Sequence, residues 1–243
     1  MLEGKYESRF AALNKESNEE YLSGFIKLVG DLFYERVAFV KNSTNDDKRK
    51  EFYDYLKGYI MHLYNEYKEK TNSNISLSDY LTYISHGHTA LAFKIGNDVL
   101  KITKTKGPYT PNKTTFSCYI PIFFEKSFEV SESEYYTIQT CPYVNTEKVE
   151  EEDVYSLYRI IRSAGYIWND PAPKNVGTII EDIEYNGVSY KKGDHVIFDF
   201  EDFAYVGEVT SDIILDEIAT MSYNPKVYAY EMRYIEEKKR ESR

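Results

Sequence analysis

Cysteine is scarce in this chain. Only Cys118 and Cys141 occur among 243 residues, whereas a secreted domain held by disulfides would carry more. The opening residues, "MLEGKYESRF", contain no apolar targeting stretch, and no run approaches the roughly 20 apolar residues of a membrane helix. The expectation is a soluble, cytoplasmic protein without a membrane span. Positive charge is also in deficit: 30 Lys and Arg stand against 40 Asp and Glu, a net charge of −10. General nucleic-acid binding, which depends on neutralising phosphates, is therefore not expected. Internal repeats and low-complexity tracts are absent. The four histidines are His62, His86, His88 and His195. The His86/His88 pair alone does not make a zinc site, which needs further ligands.

Apolar residues make up 42% of the chain, enough for a substantial core, and there are 25 tyrosines. Most of the tyrosines recur at core-facing spacing and serve as packing residues with a polar tip. Residues 18–41 predict a helix with Asn18 as cap and Leu22, Phe25, Ile26, Val29, Leu32 and Phe33 on one stripe. Residues 46–70 predict a second, with Phe52, Leu56, Tyr59, Ile60, Leu63 and Tyr67 in register. Ser76 and Asp79 have capping-box spacing for a short third helix.

At Tyr83 the period changes. "YISHGHTALAFKIGNDVLKITK" alternates around a "GND" turn, and "IPIFFEKSFEV" and "EYYTIQTCPYV" are further strand-like runs. Helix returns over 149–164, where Val154, Leu157, Tyr158 and Ile161 share a face. Strands with an Asn186-Gly187 turn follow, then a helix from about Ser211 and another from Pro225, capped by Asn224. The order predicts an α+β protein: a helical N-terminal extension over 1–79, an antiparallel strand region over 80–145 and a smaller helical region over 146–243.

Three segments carry groups that phosphoryl transfer requires. "VLKI" presents Lys101 on a strand, "DPAPKN" presents Asp170 and Asn175 on a proline-stiffened loop, and "VIFDFED" puts Asp199 at the end of an apolar strand. The chemistry needs a cation on the nucleotide phosphates, a carboxylate near the attacking hydroxyl and oxygen ligands for magnesium, all rigidly placed. By themselves Asp-Pro and Lys-Asn are ordinary turn residues. It is the three parts in order that point to a nucleotide site.

Over roughly residues 80–205 the chain resembles the protein-kinase-like superfamily, which includes protein, aminoglycoside and choline kinases. "DPAPKN" is similar to that family's catalytic loop, and "DFE" at Asp199, Phe200 and Glu201 is closest to the choline-type metal motif. The resemblance implies a bilobal fold with an antiparallel N-lobe sheet and a reduced helical C-lobe. It implies ATP and Mg2+ as cofactors, Asp170 as catalytic base and Asn175 and Asp199 as metal ligands. "SHGHTALAFKI" resembles the phosphate-covering loop, with Gly87 as central glycine and Ser85, His88 and Thr89 offering contacts to phosphate. Lys101 would hold the phosphates, and Cys141 to Val144 would form the adenine hinge. Lys174 is a candidate to neutralise the transferred phosphoryl group. Glu201 is a weaker candidate for a metal contact.

Several positions depart from that pattern. Ser85 and Ala90 stand where the loop's outer glycines belong, and Trp168 replaces the histidine two residues before the catalytic aspartate. No acidic residue occurs from Ile102 through Phe124, so the lysine's helix-borne glutamate partner is missing from its usual place. Glu35 or Glu66 of the N-terminal helices is the expected substitute. The resulting expectation is a small ATP- and magnesium-dependent kinase acting on a protein or small-molecule hydroxyl. The alternatives are a pseudokinase that binds nucleotide or a partner without turnover, and transfer of AMP on the same fold.

Overall fold

A computed structural model describes residues 3–36, 46–87, 89–105, 118–132, 134–198, 203–205 and 224–241, with backbone only for 3–5, 34–36, 203 and 204. The chain divides into two compact units. One comprises Met1–Thr110 and Ile122–Tyr143, the other Pro111–Pro121 and Val144–Arg243.

Four helices open the first unit: α1 (Glu3–Ala11), α2 (Asn18–Arg36), α3 (Asp46–Thr71) and the single-turn α4 (Leu77–Tyr80). α2 starts because the Ser17 hydroxyl accepts the Glu20 amide at 3.2 Å and donates to the Glu20 carboxylate at 3.0 Å. Asn18, the expected cap, is used elsewhere: its Oδ1 accepts the Leu77 amide at 3.1 Å and so ties α2 to the start of α4. Ser76 caps α4 as its spacing with Asp79 predicts, accepting the Asp79 amide at 3.2 Å.

Five strands follow: β1 (Leu81–His86), β2 (Ala90–Ile95), β3 (Asp98–Thr105), β4 (Phe124–Ser131) and β5 (Glu134–Pro142). They form one antiparallel sheet in the order β1-β2-β3-β5-β4. Because side chains alternate along a strand, Leu100 and Ile102 of β3 point to one face and Lys101 and Thr103 to the other. The first face meets the helices. Phe25, Leu32, Phe52, Leu56 and Ile60 share a core with Phe93, Leu100, Ile102, Tyr136 and Ile138. Each such side chain contributes about 1.5–3 kcal/mol on burial, so the N-terminal helices are an integral layer of this unit.

A polar contact pins that layer. Lys104 and Glu134, both buried, pair at 3.1 Å, Arg49 of α3 approaches Glu134 at 3.5 Å, and the Lys104 ammonium donates to the Phe33 carbonyl at 3.3 Å. Burial drives the Lys104 pKa down, against the opposing effect of Glu134.

The second unit contains β6 (Val144–Asn145), α5 (Glu151–Ser163), β7 (Tyr166–Trp168), β8 (Val176–Ile179), β9 (Ile183–Tyr185), β10 (Val188–Tyr190), β11 (His195–Ile197), β12 (Phe203–Tyr205) and α6 (Pro225–Glu241). β11-β8-β6 is a three-stranded antiparallel sheet, and β9 with β10 and β7 with β12 are two-stranded ladders. Asn186 and Gly187 both take positive φ, at 50° and 78°, which is what a tight hairpin turn requires. The segment around Tyr119 bridges Ile197 in parallel fashion and belongs with this unit, whereas the sequence analysis carried one region unbroken from 80 to 145. Val154, Leu157, Tyr158 and Ile161 of α5 pack with Trp168, Val176 and Ile197. α6 is capped by Asn224, whose Oδ1 accepts the Lys226 amide at 3.0 Å. The expected helix from Ser211 lies outside the described residues. Among the described residues no helix is long and apolar enough to cross a membrane.

Candidate active site

The loop "DPAPKN" is fixed from both ends. On its N-terminal side Trp168 is buried in β7, paired with Phe203. The Asn169 carbonyl accepts the Asn224 side chain at 3.1 Å. On its C-terminal side a 3-10 turn, Pro173–Asn175, runs directly into β8. Proline at the first position of that turn supplies the required φ and omits an amide that would have no partner there. Trp168 therefore fills core volume where the resemblance would have a polar histidine.

Asn175 is the hub. Its side chain is 5% exposed, and its Nδ2 donates to the Asp170 carbonyl at 2.9 Å and to Asp170 Oδ2 at 3.0 Å. Its backbone carbonyl accepts the Phe198 amide at 3.1 Å, continuing the β8–β11 pairing of Val176 with Ile197. Asp170 and Asn175 are thus held together by direct contact. Asp199, the expected second metal ligand and the next residue after Phe198, lies outside the described residues, as do Glu201 and His88.

Lys174 is exposed and its ammonium sits 3.0 Å from Asp170 Oδ2. Among the described residues both side-chain contacts of Asp170 use that oxygen, and Oδ1 takes no hydrogen bond. Burial by itself would raise the Asp170 pKa. The hydrogen bonds from Lys174 and Asn175 and the charges of Lys174 and Lys226 outweigh it, and the group lies below the ordinary aspartate value.

With its Nδ2 spent on Asp170, Asn175 has its Oδ1 left for other partners. Amide and carboxylate oxygens are the hard donors that Mg2+ accepts, so the donor chemistry fits that ion. Among the described residues no group of three His, Cys, Asp or Glu is poised to hold a metal.

The candidates in the first unit are described separately. Ser85 pairs with Ala92 beyond an irregularity in β1, and the Gly87 amide donates to the Ala90 carbonyl at 2.9 Å. A side chain added at Gly87 would meet nothing within 4 Å. The Thr89 carbonyl accepts the Lys104 amide at 2.7 Å, fixing the tip to β3. His86 turns inward: its Nδ1 is 2.5 Å from the Tyr83 hydroxyl and its ring packs edge-on against Tyr6 of α1. Lys101 lies opposite Gln139 and Ala92 in the sheet and forms no ion pair among the described residues.

The two hinge candidates fall in different units, since the division lies between Tyr143 and Val144. The Cys141 thiol is pushed up to about 12 by burial, which suits a packing residue and not a nucleophile. Val144 is buried and pairs with Ile179.

The expected replacement of the missing glutamate by Glu66 is corrected by the sheet's two-sidedness. α2 and α3 cover the face of Leu100 and Ile102, so they lie across the sheet from Lys101. Glu66 is engaged on its own helix with His62 and Lys70, each at 3.8 Å. The side chain of Glu35 is outside the described residues. The sequence analysis missed Gln139 and Glu125, which share the face of Lys101; period-two counting from Lys101 across the strands would have found them once the register was known.

Comparison with protein-family models and with curated proteins returns no match to this chain.

Proposed function

We propose that this protein is an ATP- and magnesium-dependent phosphotransferase of protein-kinase-like fold, acting on a hydroxyl of a protein or small molecule. The observation that carries the proposal is the split role of the Asp170 carboxylate. One oxygen is anchored by Asn175 and Lys174, at 3.0 Å each, and the other takes no hydrogen bond among the described residues. A carboxylate held in that way can accept a proton from an acceptor hydroxyl at a fixed atom, which is what general-base assistance needs. The antiparallel five-stranded sheet and the rigid proline loop agree with the expected N-lobe and catalytic loop. Asn175 would offer Oδ1 to magnesium, which when bound supplies charge neutralisation to the phosphates. Lys101 would hold phosphate, and Lys174 would exchange Asp170 for the transferred group.

One observation favours a second reading. Trp168, buried where the resemblance has a polar histidine, leaves the loop without that group, which suits nucleotide binding without turnover. Purified full-length protein incubated with magnesium and ATP labelled at the γ or, separately, the α position separates the cases. Covalent transfer of γ label alone supports the phosphotransferase. Transfer of α label replaces it with AMP transfer. Nucleotide binding with neither transfer, across protein and small-molecule acceptors, leaves the non-catalytic binder.

A further inference from the structure

The direction in which a carboxylate points is set first by its backbone. At Asp170 the backbone is held on both sides of the Cα. On the C-terminal side, Asn175 Nδ2 donates to the Asp170 carbonyl at 2.9 Å, and Pro171, next in the chain, confines Asp170 to extended conformations. On the N-terminal side, the Asn169 carbonyl lies in the same peptide plane as the Asp170 amide, and it accepts Asn224 Nδ2 at 3.1 Å. Two asparagine side chains therefore hold the two peptide planes that meet at the Asp170 Cα, and those planes set the course of its Cα–Cβ bond.

Asn224 is a fixed point because it begins α6. Its Oδ1 accepts the Lys226 amide at 3.0 Å, so one side chain caps the helix with its oxygen and holds the loop with its nitrogen. Serine and aspartate cap helices as well as asparagine does, but an aspartate carboxylate has no donor and a serine hydroxyl sits one bond shorter. α6 is in turn fastened to α5 by contacts that do not involve the loop. Glu231 accepts Arg162 Nε at 3.0 Å and the Tyr158 hydroxyl at 2.5 Å, and all three side chains are buried. Arg233 pairs with Glu152 at 2.6 Å, and Glu151 accepts the Tyr230 hydroxyl at 2.7 Å and pairs with Lys226. We infer that Asn224 is a positioning residue for Asp170: it carries the fixed position of α6 to the backbone of the catalytic loop and so aims the carboxylate at the acceptor hydroxyl. Asn224 acts through the Asn169 peptide. The inference rests on the proposed phosphotransferase reading for its purpose, though not for its geometry.

The test uses the full-length chain with Asn224→Ser and Asn224→Asp, each of which keeps a capping oxygen and removes the donor that reaches Asn169. In the first arm, backbone 15N order parameters are measured by NMR without nucleotide. In both variants they should fall at Asp170 and stay unchanged through residues 227–235 of α6. Unchanged order at Asp170 would overturn the inference. So would a loss that runs through α6 as well, which would make Asn224 a helix cap only. The second arm follows release of γ-phosphate from Mg-ATP to water, which needs no identified acceptor. A misaimed base implies that kcat falls about ten-fold in both variants, while KM for Mg-ATP stays as in the wild type. An unchanged kcat, or a raised KM with kcat kept, would sink the positioning role while leaving the phosphotransferase reading intact. A wild type that binds Mg-ATP but releases no phosphate would instead remove that reading, and with it the purpose assigned to Asn224; the order parameters decide its hold on the loop independently.

Discussion

The two oxygens of Asp170 have different employment, and substitutions can separate them. Asp170→Asn keeps the shape and the contact to Asn175 but removes the base. Nucleotide affinity should hold while turnover falls by about 10²–10⁴-fold, the usual contribution of a positioned base. Unchanged γ-phosphate transfer in this variant would mean the base lies elsewhere. The sign of its pH dependence also follows. The folded pKa of Asp170 is lowered, so its contribution to stability is present above the unfolded value and is lost as pH falls through the lowered folded one. Lys174→Ala removes part of that contribution. The stability gap between wild type and variant should exist near neutral pH and close in acid, and for so exposed a pair it should stay under about 1 kcal/mol. Urea titrations followed by Trp168 fluorescence measure it, and a gap that persists in acid would assign Lys174 a packing role. Gly87 supplies a third case. Since an added methyl meets nothing within 4 Å, Gly87→Ala should change stability by no more than about 0.5 kcal/mol, so any loss of nucleotide affinity there would report on the ligand.

At the scale of elements, α5 and α6 are joined by a buried charge. Arg162 Nε donates to both oxygens of Glu231 at 3.0 Å, and the Tyr158 hydroxyl donates to Oε1 at 2.5 Å. Glu231→Gln takes from buried Arg162 the carboxylate it pairs with and should cost about 3–5 kcal/mol, whereas Arg162→Met combined with Glu231→Leu should recover most of it. Chemical denaturation of the two variants decides; equal losses would show that the contact specifies the helix pair in a way apolar packing does not replace. The existence of these helices was legible in the sequence. The stripes on α3 and α5, the Ser76 and Asn224 caps and the Asn186-Gly187 turn are local signals, written within one turn of chain. What was not legible depends on partners distant in sequence. Asn18 looks like a cap until Leu77, far along the chain, claims its side chain. Gly177 shows no special signal, yet an added Cβ would lie 2.3 Å from Val144 Cγ2, and Gly177→Ala should destabilise by about 1–3 kcal/mol through overpacking. Asp170 and Asn175 could be paired from the sequence because only four residues separate them. The Lys101–Gln139–Glu125 row could not, because it needs the strand order β3-β5-β4.

For the whole molecule, the division of the chain between Tyr143 and Val144 falls inside the stretch expected to contact adenine. On the proposed reading nucleotide binds the folded chain and so stabilises it. A ligand at one hundred times its dissociation constant adds about 2.7 kcal/mol, and in a chain of this length each kcal/mol raises Tm by roughly 2–4 °C. Near-saturating Mg-ATP should therefore raise Tm by about 5–10 °C. The two units can be followed separately, because Trp168 is the only tryptophan and lies buried in the second, while in a Cys118→Ser background Cys141 alone reports the first through thiol labelling. Each signal reports whether nucleotide stabilises its own unit. The magnesium-dependent part should vanish in Asp199→Asn, since an amide offers one neutral oxygen where the ion takes a carboxylate, and should largely survive Glu201→Gln. A shift confined to the Trp168 signal would place the ligand on the catalytic loop without Lys101. The absence of any magnesium-dependent shift in the wild type, across ATP, GTP and their diphosphates, would remove the metal–nucleotide site and leave a protein that binds a partner through this fold.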